Sequence, residues 1–231
     1  SVLGTYSNEE IEVYQKIPLI KYLWVKNKKT YHKNGCLESE TRFFLNFRHG
    51  FAVHYYDNGQ LFGKCLYLQG KEGEWQSWYK NGTLKESGFW KDNEKNGEWI
   101  SFFENGAVEQ FSHWTNGIKN GPYKTFYEND TAKLSGIFYH GKKDGTWSYY
   151  YKNGNKMRIE TWKTGIPDGF WEYFFENGGK KAAGDISDSG RFGLWKYFFE
   201  NSIISSEGYW KNDTLNGIWL YYHENGALKE K

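Results

Sequence analysis

The residues of this 231-residue chain that could do chemistry are six histidines, two cysteines and a recurring glutamate. The histidines occupy unrelated positions, and no metal-binding histidine pair, serine-nucleophile elbow or phosphate-binding glycine loop accompanies them. The glutamate stands directly before an asparagine, at Glu104, Glu128, Glu176, Glu200 and Glu224. Neighbouring carboxylates in a hairpin array would lie roughly 10 Å apart, too far for one cation to bridge. We therefore predict no catalytic residue, no metal site and no cofactor.

Aromatic residues make up 21% of the chain, with 12 Trp, 19 Tyr and 17 Phe. This content predicts a folded protein, because disordered chains are poor in aromatic residues. The 30 Lys and Arg nearly balance the 28 Asp and Glu, and a net charge of +2 argues against a dedicated nucleic-acid binder. The sequence contains no run of 18 apolar residues, so we predict no transmembrane helix. Peripheral association of the protein with a membrane stays open.

Three sets of residues recur in phase about every 24 positions. An asparagine marks the repeat, and glycine follows it in seven of nine cases. These asparagines are Asn34, Asn58, Asn81, Asn105, Asn129, Asn153, Asn177, Asn201 and Asn225. A glycine lies eight residues before each one from Asn58 onward, and a tryptophan (once a tyrosine) six residues before each one from Asn81 onward. One step has 23 residues, and the glycine spacing places the missing residue within 68–72.

Each asparagine-glycine pair lies between two short aromatic-rich runs, which predicts a β-hairpin with a two-residue loop. Both residues tolerate the positive φ angles of a type I′ turn. Such a loop pairs the residue six positions before the asparagine with the residue seven positions after it. It also pairs the residue eight positions before the asparagine with the residue nine positions after it. These pairs match a ring with a small residue, as in Trp75 with Gly88 and Gly73 with Trp90, so that the ring covers bare backbone.

Strand residues alternate between the two faces of a sheet, which sorts the rings into two groups. One face, called the tryptophan face, carries the tryptophan rows and the ring two residues before the asparagine, and we expect it to be cohesive. The opposite face carries the ring three residues before the asparagine, across from mostly charged residues such as Lys85 and Glu109. This aromatic stripe is the candidate partner-binding surface: Tyr55, Trp78, Phe102, Phe126, Tyr150, Phe174, Phe198 and Tyr222.

Consecutive hairpins of this kind add side by side, and each advances the array by about 9–10 Å. The predicted fold is all-β: an elongated single-layer antiparallel sheet of tandem 24-residue β-hairpin repeats over residues 26–231. Cys36 and Cys65 would face opposite sides of non-adjacent strands, so we expect two free thiols.

Residues 1–25 lie outside the repeat, and we interpret them as a structural cap or a partner-contact segment. Ser7 and Glu10 have the spacing of a helix capping box, and any helix there must end before Pro18. The apolar run from Leu19 to Val25 fits a capping strand or a partner contact.

One repeat departs from the pattern near its second strand. Ile186 replaces the expected tryptophan, residues 185–190 (DISDSG) fill the loop, and Asn201 lacks its glycine. Two interpretations stay open, which are drift within a tolerant repeat and a locally specialised contact.

The repeat unit resembles the bacterial variant of the MORN repeat, as residues 79–84 (YKNGTL), 88–90 (GFW) and 97–99 (GEW) illustrate. The resemblance covers residues 26–231, with a departure at Ala52, where the tryptophan row fails. It implies a hairpin array with a non-enzymatic role in protein association, and it brings no catalytic residues. Bacterial members are often described as antitoxin-like or immunity-like, and eukaryotic relatives as scaffolds near membranes. On that basis we expect a bacterial protein in the periplasm or at the outer membrane, in preference to the cytoplasm.

Two functions agree with a long aromatic surface. The first is a protein-binding repeat module, either an immunity protein that masks a toxin or a scaffold subunit of a larger envelope complex, since aromatic residues dominate binding hot spots. The second is carbohydrate or cell-wall binding through the stripe, because choline-binding repeats look superficially similar and rings can surround a quaternary amine. We do not expect an enzyme, because the sequence offers no converging polar groups.

Overall fold

The computed structural model describes residues 11–16, 24–44, 47–68 and 73–231. These residues form β-strands joined by tight turns, with no helix among them. They belong to two compact units, one with residues 1–109 and 113–118 and the other with residues 110–112 and 119–231. Within each unit, successive strands pair antiparallel. The predicted all-β fold of tandem antiparallel hairpins is confirmed.

The strands of the first unit are β1 (Ile11–Lys16), β2 (Trp24–Tyr31), β3 (Leu37–Phe44), β4 (Phe47–Tyr55), β5 (Leu61–Leu68), β6 (Gly73–Trp78), β7 (Leu84–Lys91) and β8 (Glu94–Phe102). The next strand, β9 (Val108–Thr115), has residues in both units. The second unit contains β10 (Ile118–Phe126) apart from its first residue, β11 (Ala132–Tyr139), β12 (Lys142–Tyr150), β13 (Lys156–Lys163), β14 (Ile166–Pro167), β15 (Gly169–Phe174), β16 (Lys180–Ser187), β17 (Gly190–Phe198), β18 (Ile204–Lys211), β19 (Thr214–Tyr222) and β20 (Leu228–Glu230).

The N-terminal segment contains a strand where a helix was expected. β1 pairs with β2 along its whole length, from Ile11 opposite Lys29 to Lys16 opposite Trp24. The predicted helix is therefore wrong over residues 11–16, because the edge of β2 offers hydrogen-bond partners that override a local capping signal. The capping-box residues themselves, residues 19–23 and most of the predicted one-residue deletion lie outside the described residues. The division of the chain at residue 25 stays a prediction.

The asparagine turns have three-residue loops, so the predicted type I′ geometry is wrong. In one such turn the Tyr79 amide donates to the Thr83 carbonyl at 2.8 Å, and the Gly82 amide donates to the Tyr79 carbonyl at 2.9 Å. Gly82 has a φ of 86°, which fits a type I turn followed by a left-handed residue. Asp130 and Ser202, with φ angles of 62° and 70°, take this position where glycine is missing.

Turns of the type I′ kind do occur, but they join one hairpin to the next. Lys91 pairs with Glu94 across Asp92 and Asn93, whose φ angles are 51° and 65°. Paired positive φ angles recur at residues 116–117, 140–141, 164–165 and 212–213. The identities of these turn residues change from repeat to repeat, so no single residue type recurring at a fixed spacing marks these turns in the sequence.

The recurring asparagine ties its own turn to the following one. Asn153 Oδ1 accepts a hydrogen bond from the Asn155 amide, and its Nδ2 donates to the Glu176 carbonyl, each at 2.9 Å. The same two bonds recur at Asn34, Asn81, Asn129 and Asn201. None of the nine asparagines, all of which the structure describes, has a positive φ. Side-chain hydrogen bonding therefore selects asparagine here, and tolerance of a left-handed backbone does not.

The predicted cross-strand pairs of tryptophan and glycine are confirmed, as Trp75 with Gly88 and Trp195 with Gly208 illustrate. The register survives the longer loop because a β-bulge follows it on the second strand. In the hairpin of β6 and β7 the ladder skips Lys85. One extra residue in the loop and one in the bulge leave the rows further along the hairpin in their expected positions.

The ring that covers each glycine belongs to the following hairpin, and not to the cross-strand partner as expected. A Cβ on Gly136 would lie 2.3 Å from the Trp147 ring, whose Nε1 donates to the Ile137 carbonyl at 3.2 Å. The same arrangement places Trp99 on Gly88, Trp195 on Gly184 and Trp219 on Gly208. Gly145, with a φ of 66°, lies in the local bulge of β12 that brings Trp147 over β11. Tryptophan therefore joins neighbouring hairpins.

The contact between glycine and tryptophan predicts a steric effect of a single methyl group. Gly136→Ala should lower the free energy of unfolding by about 3 kcal/mol, because the methyl overlaps the Trp147 ring. Gly145→Ala is the matched control, since its Cβ meets nothing within 4 Å and only the positive φ is unfavourable, at about 1 kcal/mol. Urea unfolding of both variants measures the difference, and equal losses would contradict the packing described.

The asparagine bond between turns predicts a selective effect of losing the amide donor. Asn81→Asp keeps the acceptor for the Thr83 amide but loses the donor to the Glu104 carbonyl, so its free energy of unfolding should fall by about 0.5–1.5 kcal/mol. Asn225 accepts from the Ala227 amide at 3.0 Å and makes no donor contact among the described residues. Asn225→Asp should therefore change stability little in the same urea titration. Identical losses in the two variants would show that the bond between turns contributes nothing.

Candidate functional site

The tryptophan face of the second unit carries a continuous stack of rings. Consecutive ring centroids lie 6.0–6.5 Å apart along Trp171, Tyr173, Trp195, Tyr197, Trp219 and Tyr221. The tyrosines lie four residues before the asparagine, where the repeats before Tyr149 have Thr, His or Ser. Sequence reasoning missed this row, although its restriction to the last four repeats could have revealed it. The stack uses most of this face for contacts within the protein.

Basic side chains lie over other rings of the tryptophan face, in both units. Lys95 Nζ is 3.7 Å from the centroid of Trp99, and the Arg191 guanidinium is 3.4 Å from that of Trp210. These cations stand ten residues before the asparagine, as do Arg48, Lys119 and Lys143, which also lie over rings. Cation–π contacts of this kind contribute about 0.5–2 kcal/mol each. Sequence reasoning missed this row, which Pro167 and Leu215 interrupt, although its spacing is as regular as that of tryptophan.

Glu160 occupies the place that glycine has in other repeats. Its buried carboxylate accepts hydrogen bonds from Arg158 Nε at 2.6 Å, Trp162 Nε1 at 2.9 Å and Lys143 Nζ at 3.3 Å. Burial alone would raise its pKa, but hydrogen bonds from Trp162 and Tyr149 and the charges of Lys143 and Arg158 lower the pKa below its ordinary value. The carboxylate is therefore charged at neutral pH and gathers two cations around it.

The predicted aromatic stripe lies on the opposite face, and all eight of its residues are half-buried. Its cross-strand partners differ from expectation, because the three-residue loop shifts the pairing near the turn. Trp78 pairs with Leu84 and Tyr222 with Leu228, where charged partners were expected. Lys85, which was expected opposite the stripe, has its Nζ 5.4 Å above the Tyr79 ring. The stripe is therefore more apolar than the sequence indicated.

The stripe continues along each unit separately. In the second unit its members lie on alternating strands, so neighbouring rings are about 9–10 Å apart. Tyrosine hydroxyls from the preceding turn donate to their backbone carbonyls, as Tyr127 does to Tyr150 and Tyr151 to Phe174, each at 2.9 Å. These bonds keep the strand ends in line without using the stripe side chains.

A second apolar row on the opposite face is much more exposed than the stripe. Phe170, Leu194, Tyr209 and Ile218 in the second unit are 50%, 40%, 55% and 60% exposed. Leu194 and Tyr209 are direct cross-strand partners, so their side chains lie next to each other. Phe170, Leu194 and Ile218 lie seven residues before the asparagine, where the four preceding repeats have Glu, Glu, Pro and Thr, and Tyr209 lies eight residues after it. Sequence reasoning missed the row for that reason.

The remaining residues with reactive side chains do not converge on a site. Among the described residues, no group of three or more His, Cys, Asp or Glu side chains is placed to hold a metal ion. The recurring glutamates before the asparagines are exposed, and His32 Nε2 is 2.9 Å from the Tyr55 carbonyl. Cys36 and Cys65 do not form a disulfide with each other, as predicted. A search of the described residues finds no helix with the length and apolar character to cross a membrane.

The repeats match a known family at five places. Residues 48–69, 71–92, 143–164, 193–212 and 215–231 match the family model described as MORN repeat variant. A comparison with curated proteins finds no match. The matches include repeats of both units, and the fold of tandem hairpins agrees with them.

The environment of Glu160 predicts a pH dependence of stability. Because the pKa of Glu160 is lowered on folding, the carboxylate stabilises the protein above its ordinary pKa, and this contribution disappears as the pH falls through the folded value. The free energy of unfolding of the natural protein should therefore fall more steeply between about pH 6 and pH 3 than that of Glu160→Gln. Glu160→Gly, which introduces the residue that four other repeats have at this position, is the control and should share the shallower profile. Parallel profiles in all three proteins would exclude this role of Glu160.

Proposed function

Because the chain belongs to the MORN repeat variant family, we propose that it is a protein-binding repeat module without catalytic activity of its own. The partner binds the face opposite the tryptophans in the second unit. The observation that carries this proposal is the row of exposed apolar residues formed by Phe170, Leu194, Tyr209 and Ile218. Several exposed apolar side chains along one face of a sheet are typical of protein-interaction surfaces.

The two faces of the sheet differ in how much of their apolar surface is already buried within the protein, and this difference supports the choice of surface. Three of the four tryptophans placed on glycines above, Trp99, Trp147 and Trp195, are at most 2% exposed. A partner could gain little by contacting rings that the protein already covers. The opposite face offers Phe, Tyr, Leu and Ile side chains that lose contact with water on association, and such burial contributes roughly 25 cal/mol per Å² of apolar surface.

The same surface also favours a protein over a carbohydrate as the partner. Sugars stack on flat aromatic rings, whereas half of the exposed row, Leu194 and Ile218, is aliphatic. The aromatic stripe, including Phe174, Phe198 and Tyr222, flanks this row and is half-buried, so it would form the edge of the interface. We place the protein among immunity-like proteins that mask a toxin or among scaffold subunits of a larger, envelope-associated complex.

Capture experiments with the full chain test this proposal. The immobilised natural protein should retain a specific protein from an extract of the source cells, and Phe170→Lys with Ile218→Lys should reduce the amount retained at least tenfold, because two apolar contacts are replaced by charges. Both positions are at least half exposed, so the double variant should fold normally.

The matched control is Thr146→Lys, which alters the same row where the residue is already polar and exposed. It should retain the partner as well as the natural protein does. A partner that is retained equally by the double variant would exclude this surface. Retention of the chain on peptidoglycan or choline resin, with no protein captured, would replace the proposal by cell-wall binding. If the captured protein is a toxin, added chain should abolish its activity, whereas a scaffold partner would be unaffected.

A further inference from the structure

The divergent repeat creates a cavity on the tryptophan face of the second unit. The cavity has a volume of about 520 Å³ and lies among β13, β15, β16 and β17. Its walls include Tyr173, Trp195 and Tyr197 from the ring stack, and Ile186 and Ala182 from β16. This volume is within the range of small-molecule sites in proteins, about 300–1,000 Å³.

The cavity exists because one repeat lacks a ring and a cation that its neighbours have. In the neighbouring repeats the residue nine after the asparagine is Trp162 or Trp210, and each lies beneath a cation, Lys143 at 4.5 Å and Arg191 at 3.4 Å. The same two positions in the divergent repeat are Ile186 and Pro167. Gly169 pairs with Ile186 as Gly145 pairs with Trp162 and Gly193 with Trp210, so the cross-strand register is unchanged.

The neighbouring repeats therefore indicate what fits the empty space. Trp210 lies against Trp219 with centroids 5.5 Å apart and an interplanar angle of 87°, and Trp162 lies 5.5 Å from Trp171. The equivalent partner in the divergent repeat is Trp195, which has only Ile186 at the corresponding place. A planar ring of the size of indole would make there the edge-to-face contact that other repeats make internally.

The charges around the cavity indicate that the ring should carry an anionic group. The charged residues of the lining are Arg158, Lys181, Arg191 and Asp213. Arg191 and Asp213 pair with each other at 2.5 Å, and the buried Glu160 is shared between Arg158 and Lys143. Cations therefore outnumber carboxylates. Burial raises the pKa of Tyr173, so its hydroxyl stays protonated and can donate a hydrogen bond to an anion.

We propose that this cavity is a binding site for a planar aromatic carboxylate, with the ring in the place of the missing tryptophan and the carboxylate beside Arg158 and Lys181. The ring would lie against Trp195, over the small side chains of Ile186 and Ala182. The carboxylate would form charge-assisted hydrogen bonds with the cations. The lining shares Phe174 with the aromatic stripe but includes none of the exposed row formed by Phe170, Leu194, Tyr209 and Ile218, so the two proposed sites can be tested separately.

Calorimetric titration with indole-3-acetate tests the site, and indole-3-acetamide is the matched neutral probe. The natural protein should bind the acetate, and the amide at least tenfold more weakly because it lacks the charge. A peptide that ends in tryptophan with a free carboxyl group, compared with the same peptide amidated, tests whether the ligand is a free molecule or a chain terminus. Binding of the acetate but not the peptide assigns a free molecule, and tighter binding of the peptide assigns a chain terminus. Absence of heat with all four probes would overturn the proposal.

Two variants identify the site of binding. Ile186→Trp restores the residue of the neighbouring repeats and should abolish binding by filling the cavity, whereas Phe138→Trp, at the same position of another repeat, should leave affinity unchanged. Lys181→Met should weaken binding of the acetate at least fivefold, and Lys133→Met, the equivalent exposed position two repeats earlier, should not. Because Lys181 is exposed, its variant decides the question even if Ile186→Trp fails to fold. Unchanged affinity in both Ile186→Trp and Lys181→Met would exclude this cavity.

Discussion

The contact of a tryptophan ring with the bare backbone of a glycine in the preceding hairpin is the interaction on which this structure depends. Short hairpins have little interior, so they must bury apolar surface against one another. The ring lies flat on the glycine, where any side chain would overlap it, and its Nε1 is satisfied by the adjacent carbonyl, as for Trp147 on Gly136. Each contact stabilises the junction of two hairpins, so stability is built from nearest-neighbour terms.

This contact requires a regular backbone on both sides of every strand pair, and two kinds of turn supply it. The three-residue loops with asparagine bind to one another through side-chain amides, as Asn153 does to the Glu176 carbonyl. The two-residue loops between hairpins need only positive φ angles, so many residue types serve there. The loop with a structural hydrogen bond is therefore uniform in sequence, and the loop without one is variable.

The two faces consequently have different capacities for other molecules. Rings and cations on the tryptophan face contact each other. That face therefore has room for a ligand where Ile186 and Pro167 stand in place of one ring and one cation. The opposite face lacks a comparable internal network in the second unit, and its apolar side chains at Phe170, Leu194 and Ile218 remain exposed. The repeat thus uses one face for stability, which leaves the other free to vary for association.

The sequence by itself determined the period, the antiparallel hairpins and the pairing of Trp75 with Gly88, because these follow from the spacing along a single hairpin. It also showed that the repeat around Ile186 is different. Only the tertiary structure decided which hairpin supplies the ring over each glycine, which partners face the aromatic stripe, and what the change at Ile186 does. The bulges beside Lys85 and Gly145 decide these points, and a bulge moves side chains between neighbouring strands without altering the sequence period.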